Sequence, residues 1–447
     1  MNQPTLPMEL PEVQQVEGAL PSQPAEVRVV RPVRNQAEMM VRDLESLVAE
    51  DHAVRCIWAL VSRLDLSAFY APMKALVDRP GRPAADPQVL LALWVYATVE
   101  GVGSARRLDR LCREHDAYRW LCGNVPVDYH TLSDFRVAHQ GALEDLLTQV
   151  VASLMAQGLV QLNRVAQDGV KVRASAGAAS FRRKERLERC REEAEAQVRR
   201  LAQEREHPDP EVSARQAAAR ERAAQERVAR VEAALRQMPA LQAAKERQEH
   251  TLSKEKRKKI SEPRVSTTDP EARVMKMADG GYRPAYNVQL ATDVGSGVIL
   301  GVAVVNAGND TDQAVPMEDQ VAQRGRRHPN GYLADGGYAQ RETITTLAER
   351  QVTLYTPVRP PRTTTSARQA HTPRVDDTPA VVAWRERMQT DEAKAIYKQR
   401  GATAEWANAQ MRGHGLLPFT VRGLDKVLTV TLLIVLAHNL LRWTRIG

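Results

Sequence analysis

Between Phe181 and Pro263 the chain is built mostly from Arg, Glu, Ala and Gln, broken once by Pro208 and Pro210. A stretch of that composition forms long solvated helices and has little apolar surface to bury, so it predicts two long helices in an antiparallel hairpin or coiled coil. Segments of strand character lie on both sides of it. Arg164 to Arg173 precedes it, and Ala285 to Thr292 and Val298 to Val305 follow. The charged tract is therefore read as an insertion between strands of one α/β unit.

Within that unit the Arg164 to Arg173 strand presents one carboxylate, Asp168. Gly169 is read as the turn that ends the strand, with Lys171 and Arg173 close behind. The Ala285 and Val298 segments flank Asp293-Val294-Gly295-Ser296-Gly297 and form a hairpin. A helix near Thr311 to Arg324 follows. Next comes a short strand, Gly331 to Ala334, which delivers Asp335 into Gly336 and Gly337, then a helix from Gln340 to Glu349 and a strand from Val352 to Pro357. This alternation predicts an α/β fold. Residues 359–380 form a Pro, Thr and Arg loop, and Asp391 to Arg412 reads as one helix carrying Glu405 on a largely cationic face.

Asp168, Asp335 and Glu405 are the candidate catalytic carboxylates. If the first strand pairs with the hairpin and the fourth lies beside the first, both Asp residues reach the same sheet edge. Three desolvated carboxylates repel one another unless cations join them, and oxygen-only ligands point to Mg²⁺ or Mn²⁺. Two such ions suit in-line phosphoryl displacement. Asp279 competes, because Ala278 to Tyr282 repeats the sequence of Ala334 to Tyr338. It precedes the hairpin strands rather than ending one, and is set aside.

The net charge of +8 and pI near 9.4 favour a polyanionic partner, nucleic acid first. Phe181 to Glu262 holds 22 Lys and Arg against 16 Asp and Glu, so most of the excess lies in the insertion. Its densest point is Lys254, Lys256, Arg257, Lys258 and Lys259, read as a DNA-backbone contact. The middle of the insertion reads equally as a solvated helix face. The four cysteines form no C-x-x-C pair and indicate neither zinc nor disulfides. With no secretory signal pattern, the chain is expected in the cytoplasm. The apolar run Val427 to Ala437 is shorter than a membrane span and reads as a buried helix.

Residues 1–34, rich in Pro, Gln and Glu, are expected to be a disordered tail. Residues 35–150 carry helical periodicity. Asp86-Pro87, Ser104 and Thr131-Leu132-Ser133-Asp134 are read as helix starts, and Arg106, Arg107 and Arg136 as DNA contacts. This region is either a helix-turn-helix type of DNA reader or a helical packing domain with a basic face.

The chain resembles a DDE transposase of bacterial insertion sequences, the group with an RNase H-like catalytic core. The resemblance rests on Asp168 to Arg173, Tyr286-Asn287-Val288-Gln289, Ala334 to Tyr338, Tyr397-Lys398-Gln399-Arg400 with Glu405, and Ala437-His438-Asn439-Leu440-Leu441-Arg442. Residues 53–139 are similar to the helical domain often attached to these enzymes. The resemblance implies an RNase H-like mixed sheet over residues 151–447, interrupted by the insertion at 181–263. It also implies Asp168, Asp335 and Glu405 as metal ligands, with Tyr397, Arg400 and Arg412 in support; a Lys at 412 and three rather than four residues between Arg400 and Glu405 would be more typical.

The activity so implied is metal-dependent cleavage of double-stranded DNA at the element's ends and strand transfer into a target. A homodimer or larger assembly would work without a membrane, in a bacterial cytoplasm beside the nucleoid. The rival readings are a nuclease on the same fold that does not join strands, and a catalytically inactive DNA-binding protein.

Overall fold

The computed structural model describes residues 41–75, 80, 83–206, 212–251, 257, 260–359 and 371–446. The chain divides after Asp43, and among the described residues the helices and strands lie in the second unit, Leu44–Gly447. The tail expected over residues 1–34 falls outside the described residues, as do Lys254, Lys256, Lys258 and Lys259.

Among the described residues a short 3-10 helix (Glu45–Leu47) is followed by seven α-helices: α1 (Ala53–Val61), α2 (Ser67–Tyr70), α3 (Pro87–Val99), α4 (Ala105–Glu114), α5 (Asp116–Cys122), α6 (Tyr129–Ala138) and α7 (Gln140–Ala156). α3 is apolar almost all round and buried along most of its length, as a helix enclosed by others must be. Asp86 caps it by accepting from Gln88 N, and Pro87 occupies the first turn, where its missing N–H costs nothing. Ser104 caps α4 as expected. The start of α6 differs from the sequence reading: Asp128, not Thr131, is the cap, because its carboxylate accepts from both His130 N and Thr131 N.

A mixed sheet follows. Its strands are β1 (Arg164–Arg173), β4 (Arg273–Lys276), β5 (Tyr282–Asp293), β6 (Ile299–Val305), β7 (Gly331–Leu333) and β8 (Thr353–Tyr355), in the order β4-β5-β1-β7-β8. β1 pairs antiparallel with β5 and parallel with β7. The outer edge of β5 is shared end to end, by β4 opposite Tyr282 to Ala285 and by β6 opposite Asn287 to Thr292. The fold is the α/β RNase H-like architecture that the sequence predicts.

The insertion leaves and rejoins the sheet through a two-stranded ribbon, β2 (Phe181–Arg182) with β3 (Val265–Ser266). Between these strands stand α8 (Lys184–Glu206) and α9 (Ala214–Thr251), packed on each other. Leu187, Ala234, Met238 and Val265 give the pair a small apolar core of its own. Arg227 to Glu193 at 3.7 Å and Arg205 to Glu221 at 3.8 Å link the two helices across their exposed faces.

The remaining helices are α10 (Ala314–Gly325), α11 (Arg341–Glu349), α12 (Pro379–Arg387), α13 (Asp391–Gly413) and α14 (Leu424–Ile446). α14 is long and apolar enough to cross a bilayer, but 67% of its most apolar window is buried within the protein. It packs on α3, α6 and α7 on one side and on β6 on another, so the helical region and the sheet share one hydrophobic core. Its polar residues serve the sheet. Asn439 accepts from Ile299 N at 2.9 Å and donates to Ile299 O at 2.8 Å, acting as a one-residue neighbour for the outer edge of β6. His438 Nε2 meets Gly297 O at 3.0 Å, and Arg442 Nε donates to Ser296 O at 3.0 Å. The Ala437 to Arg442 motif is thus a clamp on the β5–β6 hairpin.

Candidate active site

The sequence reading ends a strand at Asp168, with Gly169 as a turn. The structure does not. β1 continues through both residues to Arg173, and Asp168 lies opposite Leu290 and Gly169 opposite Gln289 in unbroken register. Side chains alternate faces along a strand, so Asp168 points to one face of the sheet and position 169 to the other.

On the Asp168 face lies α13. Arg400 Nη2 donates to Asp168 Oδ1 at 2.7 Å and Asn408 Nδ2 donates to Asp168 Oδ2 at 3.0 Å, so both carboxylate oxygens are held by one helix. Burial nevertheless pushes the Asp168 carboxyl above the usual carboxylate range, against the pull of Arg400 and Asn408, and the charges of Asp335 and Asp310 push the same way. Tyr397, one turn before Arg400, is half-buried, and its burial raises its hydroxyl.

Asp335 follows β7 in a tight turn, where its Oδ1 accepts from Gly337 N at 2.5 Å. The glycines admit a cation to this turn: a Cβ on Gly336 would stand 2.9 Å from Arg359 Nε. The same five residues at Ala278 to Tyr282 make an exposed hairpin turn in which Asp279 accepts from Gly281 N and Arg283. β7 lies directly beside β1, which is why Asp335 and Asp168 sense each other's charge.

The Gly169 face carries a polar network that sequence reasoning left out. Gln289 Nε2 and Asn287 Nδ2 donate to Asp310 Oδ1 at 2.6 and 2.8 Å. Tyr338 Oη donates to Gln289 Oε1 at 2.6 Å, Gln167 Nε2 reaches the same oxygen at 2.9 Å, and Tyr332 Oη donates to Gln167 Oε1 at 2.8 Å. Gly169 is required by closeness rather than by turn geometry. A Cβ there would lie 2.3 Å from Asp310 Oδ1 and from Gln289 Nε2.

Glu405 lies on α13 with its side chain exposed and without a hydrogen bond to Asp168. Arg400, Ala404 and Asn408 form the side of the helix turned to Asp168, and Glu405 is one residue, about 100°, round from Ala404. Among the described residues no three His, Cys, Asp or Glu side chains are gathered closely enough to hold an ion. Arg412 is exposed in the last turn of α13.

The cations assigned to DNA are distributed unequally. Arg106 and Arg107 are exposed on α4, with Arg106 over the Tyr129 ring at 5.2 Å. Lys171 is half-buried in β1 on the Gly169 face, and Arg173 is exposed at the strand's end. Arg257 is exposed. Arg136 departs from the sequence reading. Its guanidinium lies 4.9 Å from the Trp94 ring centre and donates to Gly103 O and to Thr420 Oγ1, so it fastens α6 to the loop before α14. A basic residue on an amphipathic helix reads the same in sequence whether it meets solvent or an aromatic face.

Two residues of the site carried a weak signal in the chain. Asn408 stands eight residues after Arg400, on the same side of a helix. Asp310 directly follows Gly308-Asn309 in the loop after β6. Residues 42–138 match the model of a transposase domain (DUF772), and residues 247–440 match that of a transposase DDE domain. No curated protein and no solved structure matches the chain.

Proposed function

The chain belongs to the DDE transposases of insertion-sequence type, and from that premise we propose that Asp168, Asp335 and Glu405 are its catalytic carboxylates. The protein acts on DNA, and its family uses divalent metal ions. The reaction proposed is nicking at the element's ends and joining of the freed 3′-hydroxyl to target DNA. The observation that carries the reading is Asp168 on the central strand, held at both oxygens by α13 and within the field of Asp335.

The side chains fit a hard divalent ion. All candidate donors are carboxylate oxygens, and Asp168 is pushed toward protonation by burial and by Asp335, a penalty that a cation relieves. Asp168 and Asp335 would hold Mg²⁺ or Mn²⁺, probed as a pair of ions, with Glu405 reaching them from α13. Bound there, such ions supply an activated oxygen nucleophile and stabilise the leaving oxygen. The protein's own part is to position and to balance charge. Arg400 neutralises Asp168 in the resting site and is free to move to a phosphate, a group its planar guanidinium matches. Asn408 keeps the carboxylate turned toward α13. Gly337 N–H fixes one oxygen of Asp335.

Arg106, Arg107, Lys171, Arg173, Arg257 and the lysines at 254, 256, 258 and 259 are proposed DNA contacts, with residues 35–150 as the end-recognising region. Two ends must be brought together, so a dimer or higher assembly in the bacterial cytoplasm is proposed.

The test is Mg²⁺-dependent nicking and joining of labelled duplexes cut from the DNA flanking the gene, comparing wild type with Glu405→Gln and Asp335→Asn. Loss of joined product in both variants with binding retained supports the three roles. Activity surviving in Glu405→Gln moves the third ligand elsewhere on α13 or to Glu386 or Asp391. Cleavage without joining by wild type marks a nuclease on this fold.

A further inference from the structure

Where the insertion meets the sheet domain, a pocket of about 370 Å³ is lined by Arg227 and Arg230 of α9, Arg422 of the loop before α14, and Thr267 and Thr268 beyond β3. No carboxylate lines it. It adjoins a wider cleft of about 770 Å³ that shares Arg230 and Arg422 and adds Arg236 and Lys426. The acids of that cleft are Glu226, Asp269 and Glu271. Two of these are engaged: Asp269 accepts from Tyr286 Oη and Gly423 N, and Glu271 accepts from Leu424 N. Glu226 holds Arg230 only loosely, at 3.5 Å on an exposed face. Five cations, Arg227, Arg230, Arg236, Arg422 and Lys426, face three carboxylates, so the trough is net cationic, and it is made jointly by the insertion and the sheet domain.

We propose that this trough binds the phosphate backbone of duplex DNA leading away from the active site, which makes the insertion a DNA-holding arm. Three guanidiniums, of which Arg227 also reaches Glu193 at 3.7 Å, and the Thr268 hydroxyl line one concavity and suit a phosphodiester, whose oxygens accept from both. The placement suits it too. Phe419 N donates to Arg173 O at 2.9 Å and Arg422 Nε to Ser175 O at 3.3 Å, so the Arg422 loop is fastened where β1 ends. Asp168 to Arg173 is five residues of strand, about 17 Å. That span corresponds to about five base-pair steps of B-DNA. A duplex with one phosphate at Asp168 reaches the end of β1, where the Arg422 loop is fastened, about half a helical turn along, with the trough beyond it.

The inference rests on DNA being the substrate, and the experiment separates the two. Full-length protein is titrated with a labelled duplex of random sequence over a range of salt concentrations. The variants are Arg230→Ala/Arg422→Ala, the charge-keeping Arg230→Lys/Arg422→Lys, and the control Arg215→Ala/Arg220→Ala, which alters exposed arginines on the same helix outside the trough. Each phosphate contact contributes about 0.9 to the slope of log affinity against log salt. The trough double mutant should lower the slope by about 2, the Lys pair should restore most of it, and the control should leave it unchanged.

An unchanged slope in the trough mutant, or an equal loss in the control, overturns the proposal while leaving DNA as the substrate. A trough mutant that alters sedimentation but not the slope overturns it in favour of a contact between copies. Failure of wild type to bind the duplex at low salt overturns the DNA reading itself.

Discussion

Replacing Gly169 with Ala isolates the role of the network behind the strand that carries Asp168. Position 169 has ordinary extended backbone, so in a plain strand the change would stabilise the fold by about 0.5–1 kcal/mol through the lost freedom of glycine. Here the new methyl stands 2.3 Å from Asp310 Oδ1 and Gln289 Nε2, and 2.8 Å from Asn287 Oδ1. Asn287 and Gln289 are fully buried, so Asp310 must retreat and both of its hydrogen bonds open. Each is a bond to a charged acceptor, contributing about 1.5 kcal/mol. Two lost bonds less the backbone gain leave a net destabilisation of about 2 kcal/mol. Urea unfolding at pH 7.5 measures it as a fall in midpoint at unchanged m. A Gly169→Ala variant as stable as wild type, or more so, would refute the packing argument. Cleavage should suffer beyond the stability loss, because the displaced strand also carries Asp168.

Three further perturbations test the clamp and the interior charges. Asn439→Ala strips the outer edge of β6 of its side-chain partner at Ile299 and should cost about 2–4 kcal/mol in denaturant unfolding, two buried backbone groups being left unpaired. Arg324, 5% exposed, donates to Leu300 O and pairs with Glu144 of α7. Arg324→Ala should cost about 3–5 kcal/mol by calorimetry or urea melts, since Glu144 and Leu300 O lose their partner together. Burial pulls His438 down from 6.5 to about 4. The unfolded chain then binds the extra proton between these values, so the stability His438 contributes is complete above about pH 6.5 and drains as pH falls toward 4. From pH 7.5 to pH 5 this amounts to about 2 kcal/mol, read as a drop in urea midpoint that His438→Gln should flatten.

The chain alone determined a good deal. Its helical N-terminal region, the α/β alternation and the insertion follow from hydrophobic period and composition, which are local properties written residue by residue. Caps such as Asp86 and Ser104 were legible for the same reason. Asp168 and Asp335 could be singled out as candidates because each follows a short apolar run and precedes glycine, and the family resemblance gave them their proposed role.

What tertiary structure decided was direction and partnership. Gly169 looked like a turn, because sequence records that a glycine is present and not which neighbour forbids a side chain. Arg136 looked like a DNA contact, because a solvated arginine and one lying on Trp94 leave the same letter. Asn408 and Asp310 joined the site only when α13 was laid over β1 and the loop after β6 folded under it, contacts that span from about 140 to 240 residues of chain. Their pairing is set by how the sheet and helices pack, and no periodicity within a short window encodes it.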